Sequence, residues 1–538
     1  MSAPDAPPRR PPSFLRVWLP VLLVALWALG VVGIWAWPDP DWAKVYRVVS
    51  TFGSAVLLLM LLGIWFVLFS GVRLWVRAVV VLAGVAALLF LPRALVREVH
   101  FSGNMVPVVH FRWEPPEQTW LSPADPSALR PVGDLSGAGP DDYPAYRGRR
   151  RDGIVQGPAL ARAWATPKRP VWRHPCGGGY AGFAIAGNAA VTIEQRAGQE
   201  VVACYDTATG QERWVYEHPA RFSEAMGGDG PRATPTIADG QVYSLGATGH
   251  LACLDAATGS KKWSVEILDG EPNVAWGMSG SPLVYDNLVV VNPGRQSDAA
   301  KDRALVAYDR ATGKLVWSAG NARAGYSSPQ LATLAGRRQV LIFDAVGIGG
   351  YDAATGKELW RFDDWKTQQG INVAQPLVLD GDRVFISSAY GMGCAMLRVS
   401  EADGKWSVKP LWKTTKMRCR FTSPVAYQRH LYGLDEGILV CLDAADGSRK
   451  WRGGRYDHGQ LLLSGDLLVI LAEDGDLALA EATPAAAREL GRFHALDGKT
   501  WNYPALAGGR AYVRNDHEMA CYDLTAPAAP GASAKDTP

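Results

Sequence analysis

Cysteine is scarce, with seven in 538 residues and none before Cys176, so a lipid-modified cysteine near the N-terminus is excluded. No Cys-x-x-Cys-His occurs, which excludes a covalently attached c-type haem. The nine histidines are scattered, without a His-x-x-x-His pair or a zinc spacing, and no metal site is expected from them. A P-loop and a Gly-x-Ser-x-Gly elbow are also missing. Charge of one sign is missing as well. The 55 Lys+Arg and 52 Asp+Glu leave a net charge of +3, so there is no electrostatic case for a nucleic-acid partner. What the chain does have is 48% hydrophobic residues, 57 Gly and 21 Trp, a composition for a large core with many turns and recurrent aromatic anchors.

The apolar residues are unevenly spread. Residues 17–37 and 48–72 contain no charged side chain, and each is long enough to cross a hydrocarbon core of about 30 Å. Trp35, Trp37 and Trp42 stand at the end of the first, where interfacial aromatics are favoured. A third run, 78–92, spans only if Arg77 and Arg93 snorkel or if 74–76 join it, and is otherwise an interfacial helix. The expected anchor is therefore 14–97, with helices at about 15–37, 48–71 and 74–95, and a lipid bilayer as its partner. With the N-terminus inside, Arg9, Arg10, Arg16, Arg73 and Arg77 face the cytoplasm against Lys44, Arg47, Arg93 and Arg97 outside. That places the rest of the chain beyond a bacterial-type inner membrane. Residues 98–146 hold a proline-rich run and are expected to be an extracytoplasmic linker, and 1–13 and 525–538 are expected to be disordered tails.

After the linker one segment recurs: ACYDTATGQERW, ACLDAATGSKKW, VAYDRATGKLVW, GGYDAATGKELW and VCLDAADGSRKW, ending at Trp214, Trp263, Trp317, Trp360 and Trp451. Looser copies end at Trp412 and Phe493, and an isolated strand carries Trp172. Eight anchors at spacings of 39–54 residues, each with room for four short strands, predict an all-β, eight-bladed propeller over 147–524. The last repeat supplies three strands and stops at Leu524, so the strand around Trp172 is expected to complete it. Pairs such as Thr234-Pro235, Ser281-Pro282, Ser328-Pro329, Gln375-Pro376, Ser423-Pro424 and Tyr503-Pro504 head the innermost strands, where proline is tolerated. Cys204, Cys253, Cys441 and Cys521 share one repeat position and read as small buried hydrophobes, while Cys394 and Cys419 could meet in neighbouring blades. Gly177-x-Gly179-x-x-Gly182 has no βαβ context and reads as the loop entering the first blade.

The Asp-x-x-Thr-Gly-x-x-x-Trp copies resemble the docking motif of the pyrroloquinoline-quinone (PQQ) repeat family. The resemblance implies one of two functions. One is a cofactor-free scaffold, similar to the lipoprotein of the outer-membrane β-barrel assembly machinery. The other is a membrane-bound quinoprotein alcohol or sugar dehydrogenase, with PQQ and calcium at the channel mouth. The tight spacing and the absence of the dehydrogenases' adjacent cysteine pair favour the scaffold, with no catalytic residue and no cofactor. The loops that lead into the innermost strands bring Arg232, Trp276, Tyr326, Asn372, Arg420, Trp501 and Asn502 toward the channel mouth. Convergent arginines, amides and aromatics on rigid strand ends suit an envelope protein or a small polar ligand. The other reading has the arginines pairing with nearby carboxylates and the rings filling the channel.

Overall fold

The computed structural model describes residues 14–37, 44–113, 131–133, 135, 137, 139–164, 168–268, 270, 274–294 and 302–526, in two units, Met1–Pro115 and Pro116–Pro538. The tails expected at 1–13 and 525–538 lie outside the described residues, as does Trp42, except for Thr525 and Ala526. These two pair back onto Leu160 and Ala159.

The first unit has three helices, α1 (Phe14–Ala36), α2 (Lys44–Phe69) and α3 (Leu74–Leu95), each long and apolar enough to cross a membrane. Trp27 Nε1 donates to Ser54 Oγ and Trp35 Nε1 to Thr51 Oγ1, both at 3.1 Å, tying α1 to α2. Helix α2 starts a turn before the expected residue 48. Arg47 belongs to the helix because its guanidinium bonds the carbonyls of Trp35 (3.3 Å) and Trp37 (3.2 Å) at the end of α1. Arg77 does not interrupt α3, since its guanidinium turns back to the carbonyls of Val72 (2.8 Å) and Val67 (2.5 Å). Residues 74–76 therefore join the third run, giving a helix of about 33 Å. Beyond α3 the expected linker opens with a hairpin, Val96–Phe101 against Pro107–Phe111, rather than extended chain.

The second unit is an eight-bladed propeller. Blades 1 to 8 span 184–218, 236–266, 283–319, 330–362, 377–414, 425–455, 460–494 and 505–523, each built of antiparallel strands. Trp172–Pro175 pairs with Glu518–Asp523 and completes blade 8, as the missing fourth strand requires. The repeat motif explains how neighbours lock. In blade 1 Asp206 Oδ1 accepts the Ala208 and Thr209 N–H groups and the Thr209 hydroxyl, forming a turn that Gly210 closes at φ 70°. Trp172 of blade 8 lies against Gly210, where a Cβ would stand 2.6 Å from the indole, and its Nε1 donates to Thr207 O at 3.1 Å. Trp214, Trp263, Trp412 and Trp451 donate likewise to the next blade's turn, and Trp317 packs on Gly356. Trp360 instead bonds Gln339 within its own blade, and Phe493 packs tilted against Tyr522 and edge-on against Trp164. Cys204, Cys253, Cys441 and Cys521 sit directly across the strand from Trp214, Trp263, Trp451 and Trp172, where a small side chain makes room for the indole. All seven cysteines are buried thiols, with Cys394 and Cys419 in one core cluster.

A belt of hydrogen bonds joins the innermost strands. Thr234 N–H donates to Ser281 Oγ, Ser281 N–H to Ser328 Oγ, Ser328 N–H to Gln375 Oε1, and Gln375 N–H to Ser423 Oγ, at 2.8–3.2 Å. The residue before each proline thus uses its side chain as acceptor for the preceding blade. Ser423 N–H reaches across to Tyr503 Oη at 3.1 Å.

Candidate functional site

The channel through the ring is closed from one end. Residues 140–157 enter beside the tight turns of blades 8 and 1, where Asp141 O accepts from Gly508 and Asp142 Oδ1 from Gly187. Tyr143 pairs with Ile185, and the chain leaves as Ile154–Val155, parallel to the inner strand of blade 7. At the tip Arg151, 3% exposed, donates to the carbonyls of Ser281 (3.1 Å), Pro329 (2.8 Å) and Pro282, and to Thr236 Oγ1 (3.3 Å). Burial pushes its guanidinium down to about 9, with no carboxylate opposing it. Arg147, fully buried, donates to Pro424 O at 2.5 Å and lies over the Tyr503 ring. Neither arginine was singled out from the sequence. The basic run 147–151 in a proline-rich stretch is the signal that could have marked them, since only its first and last members are buried.

The other end is the mouth, and most of the expected residues meet there. Arg232 donates to the carbonyls of Gly227 (2.9 Å), Gly228 (2.9 Å) and Gly230 (2.6 Å), and lies between the Tyr180 and Phe222 rings at 5.4 and 5.0 Å. Trp276 packs on Tyr326 at 5.5 Å, and its side chain and that of Arg232 both cover Gly227. Burial pushes the Tyr326 hydroxyl up to about 12. Trp501 packs on Phe421 (4.9 Å) and Tyr180 (5.3 Å), with Lys499 over its ring at 4.3 Å. Arg420 pairs with Glu436 at 3.0 Å and covers Tyr390. The result is a chain of contacts around one opening. Phe222, Trp276, Tyr326, Tyr390, Phe421 and Trp501 are all half-buried along it.

The two amides lie deeper. Asn372 is fully buried and donates to Asp344 O at 2.7 Å, accepting from Ser388 Oγ. Asn502 is fully buried too and donates to the carbonyls of Gly179 and Ala181. Both hold loops and present no group to the opening. The glycines of 177–182 serve the same close approach, since a Cβ on Gly179 would stand 2.7 Å from Pro231 O. Tyr180, Phe222, Tyr390, Phe421 and Lys499 are mouth residues that the sequence reading missed. Tyr390 comes from a loop outside those that lead into the innermost strands, whereas Tyr180, Phe222, Phe421 and Lys499 lie in such loops, Phe421 and Lys499 in the same ones as Arg420 and Trp501.

The carboxylates of the mouth are engaged. Glu473 accepts from Trp501 Nε1 (3.1 Å) and the His458 N–H (3.2 Å), Glu436 from Arg420, Glu224 from the Met226 and Gly227 N–H groups, and Asp229 from Arg221 and Ser223. Calcium asks for six to eight oxygen ligands. Among the described residues, no three His, Cys, Asp or Glu side chains at the mouth bring ligand atoms within reach of one ion.

The family model described as outer membrane protein assembly factor BamB matches residues 161–297 and 273–453, more than half of the chain. The chain belongs to this PQQ-repeat β-propeller family. PQQ-repeat relatives fall in both functional groups. Lupanine 17-hydroxylase of a Pseudomonas species is 30% identical over 319 residues, covering 52% of this chain and 42% of that protein. Outer membrane protein assembly factor BamB of Burkholderia pseudomallei is 23% identical over 292 residues, covering 53% and 71%. Quinohemoprotein alcohol dehydrogenase of Comamonas testosteroni is 29% identical over 119 residues, covering 22% and 16%. The PQQ-repeat chain thus spans less than half the length of these two oxidoreductases. The crystal structure of BamB from Moraxella catarrhalis covers 65% of this chain and 97% of its own, at TM-score 0.46 and 16% identity.

Proposed function

We propose that this PQQ-repeat propeller is held by its three N-terminal helices in a bacterial-type inner membrane, ring outside. Its mouth binds an envelope polypeptide, or a small polar ligand of similar chemistry, without a chemical step. The observation that carries this reading is the mouth: six half-buried aromatic rings with Arg232 and Lys499 among them, on rigid loops. Aromatic and arginine side chains dominate binding at protein interfaces, and loops already fixed lose little freedom when a partner docks. No group of three metal-ligating His, Cys, Asp or Glu side chains accompanies them at the mouth among the described residues. The second reading, a PQQ-dependent alcohol or sugar oxidoreductase, is favoured by the oxidoreductases among the relatives.

A photo-crosslinking residue placed at position 276 or 501 separates the two. Discrete polypeptide adducts are expected in cells from these positions and none from position 315, which is 62% exposed on the outer strand of blade 3. Stoichiometric uptake of PQQ with calcium, followed by alcohol- or sugar-dependent dye reduction, overturns the scaffold reading.

A further inference from the structure

The wall between blades 1 and 2 carries a second cluster, away from the mouth. His218 ends the outer strand of blade 1, Glu212–His218, and His250 opens the third strand of blade 2, His250–Asp255. Their rings stack across the blade boundary, with centroids 3.6 Å apart and planes 6° from parallel. Register places Glu266 directly across the strand from His250, and His250 Nδ1 lies 2.5 Å from Glu266 Oε1. One ligand atom from each of the three side chains falls within 4.8 Å of the others. On the far side of the ring, His250 Nε2 is 3.1 Å from the Tyr216 hydroxyl. Across the strand from His218 stands Glu200, 2% exposed, whose Oε1 accepts the Ala247 N–H at 2.8 Å while Oε2 has no hydrogen-bond partner.

We propose that His218, His250 and Glu266 form a binding site for a divalent transition-metal ion of the zinc type, clasping blade 1 to blade 2. Zinc takes imidazole nitrogen at about 2.0–2.1 Å and carboxylate oxygen at about 2.0–2.2 Å, so its donors stand roughly 3–4 Å from one another. The nitrogen lone pairs lie in the ring planes, so the two stacked rings must tilt out of parallel for both to face one ion. Two imidazoles and one carboxylate suit zinc better than calcium or magnesium, which prefer oxygen alone. With the ion on Nδ1, the His250 ring carries its proton on Nε2, where the Tyr216 hydroxyl oxygen accepts it. That second contact is the one that orients a ligating histidine. His250 is 8% exposed whereas Glu266 is open to solvent, which leaves water as the fourth ligand. A motif search misses the site because its two histidines are 32 residues apart on different blades.

The test uses the full chain in detergent micelles, stripped with chelator and titrated with ZnCl2 by calorimetry, with Co2+ as the visible-absorption probe. One ion per chain is expected, with an upward shift of the unfolding midpoint. His218→Ala and His250→Ala should abolish both. Tyr216→Phe, which touches no ion, should weaken binding about 10- to 100-fold. Wild-type protein that takes up no more Zn2+ than the His218→Ala/His250→Ala double variant overturns the proposal. Should loss of the stacked rings impair folding, Glu266→Gln and Tyr216→Phe decide instead, and unchanged affinity in both also overturns it.

Discussion

Arginines stand at both ends of the channel, and the two ends use them differently. At the closed end Arg151 and Arg147 are buried among backbone carbonyls of three blades, and neither forms an ion pair among the described residues. At the open end Arg420 has Glu436, while Arg232 bonds three carbonyls of its own loop and shows aromatic faces on either side. One guanidinium set joins distant blades and the other shapes a surface. The same residue type can therefore be architecture or recognition, and the partners decide which.

The largest effect should come from the closed end. Arg151→Met leaves the carbonyls of Ser281, Pro282 and Pro329 without their donor and should lower stability by about 3 kcal/mol in urea unfolding. Arg147→Met should cost about 1 kcal/mol or less, because its Nε and Nη1 have no hydrogen-bond partner to lose. Equal losses would break the distinction between an arginine bonded to several blades and one bonded to a single blade. At the open end the expected change is in binding. Trp276→Ala should weaken partner capture about tenfold, or ~1.4 kcal/mol, with unfolding shifted by less than that. A stability loss matching Arg151→Met would make the mouth a structural plug too.

An effect that shows only as a pH dependence lies in the wall between the ends. Burial, with the charge of Glu266 adding to it, pushes the Glu200 carboxyl from 4.5 up to about 7. A carboxyl raised in this way binds more protons folded than unfolded. Its contribution is complete below pH 4.5 and is lost as pH rises through 7. In chelator-treated protein, Glu200→Gln should be more stable than wild type at pH 8, by at most about 3 kcal/mol. The two should converge at low pH in pH-dependent unfolding curves, and a constant difference would place the effect in packing.

The ring was legible in the sequence because each blade repeats one physical solution. An Asp-x-x-Thr-Gly turn presents a glycine, and the preceding blade's Trp lies on it, so Trp172 through Trp451 mark the blades without any structure. Closure by Trp172 was legible for the same reason, since a strand was missing at one end and present at the other. The plug was not. Arg147 and Arg151 bond carbonyls, and carbonyl acceptors carry no sequence mark. Proline content marks the chain up to 146 as a linker and leaves 147–157 with the propeller, without a role of their own. At the mouth, Arg232, Trp276, Tyr326, Arg420 and Trp501 followed from loop position, but loop position could not tell that Asn372 and Asn502 turn inward to backbone. The stacked pair His218 and His250 depends on register between blades, which one sequence does not display.

The closing strand also sets an order of events. Cys521 cannot meet Trp172 until the last repeat exists, and Arg147 finds Pro424 only 277 residues after it has been made. Such distant pairings make for slow assembly. The channel segment and the closing strand precede all the blades in sequence, so their contacts wait for partners made much later.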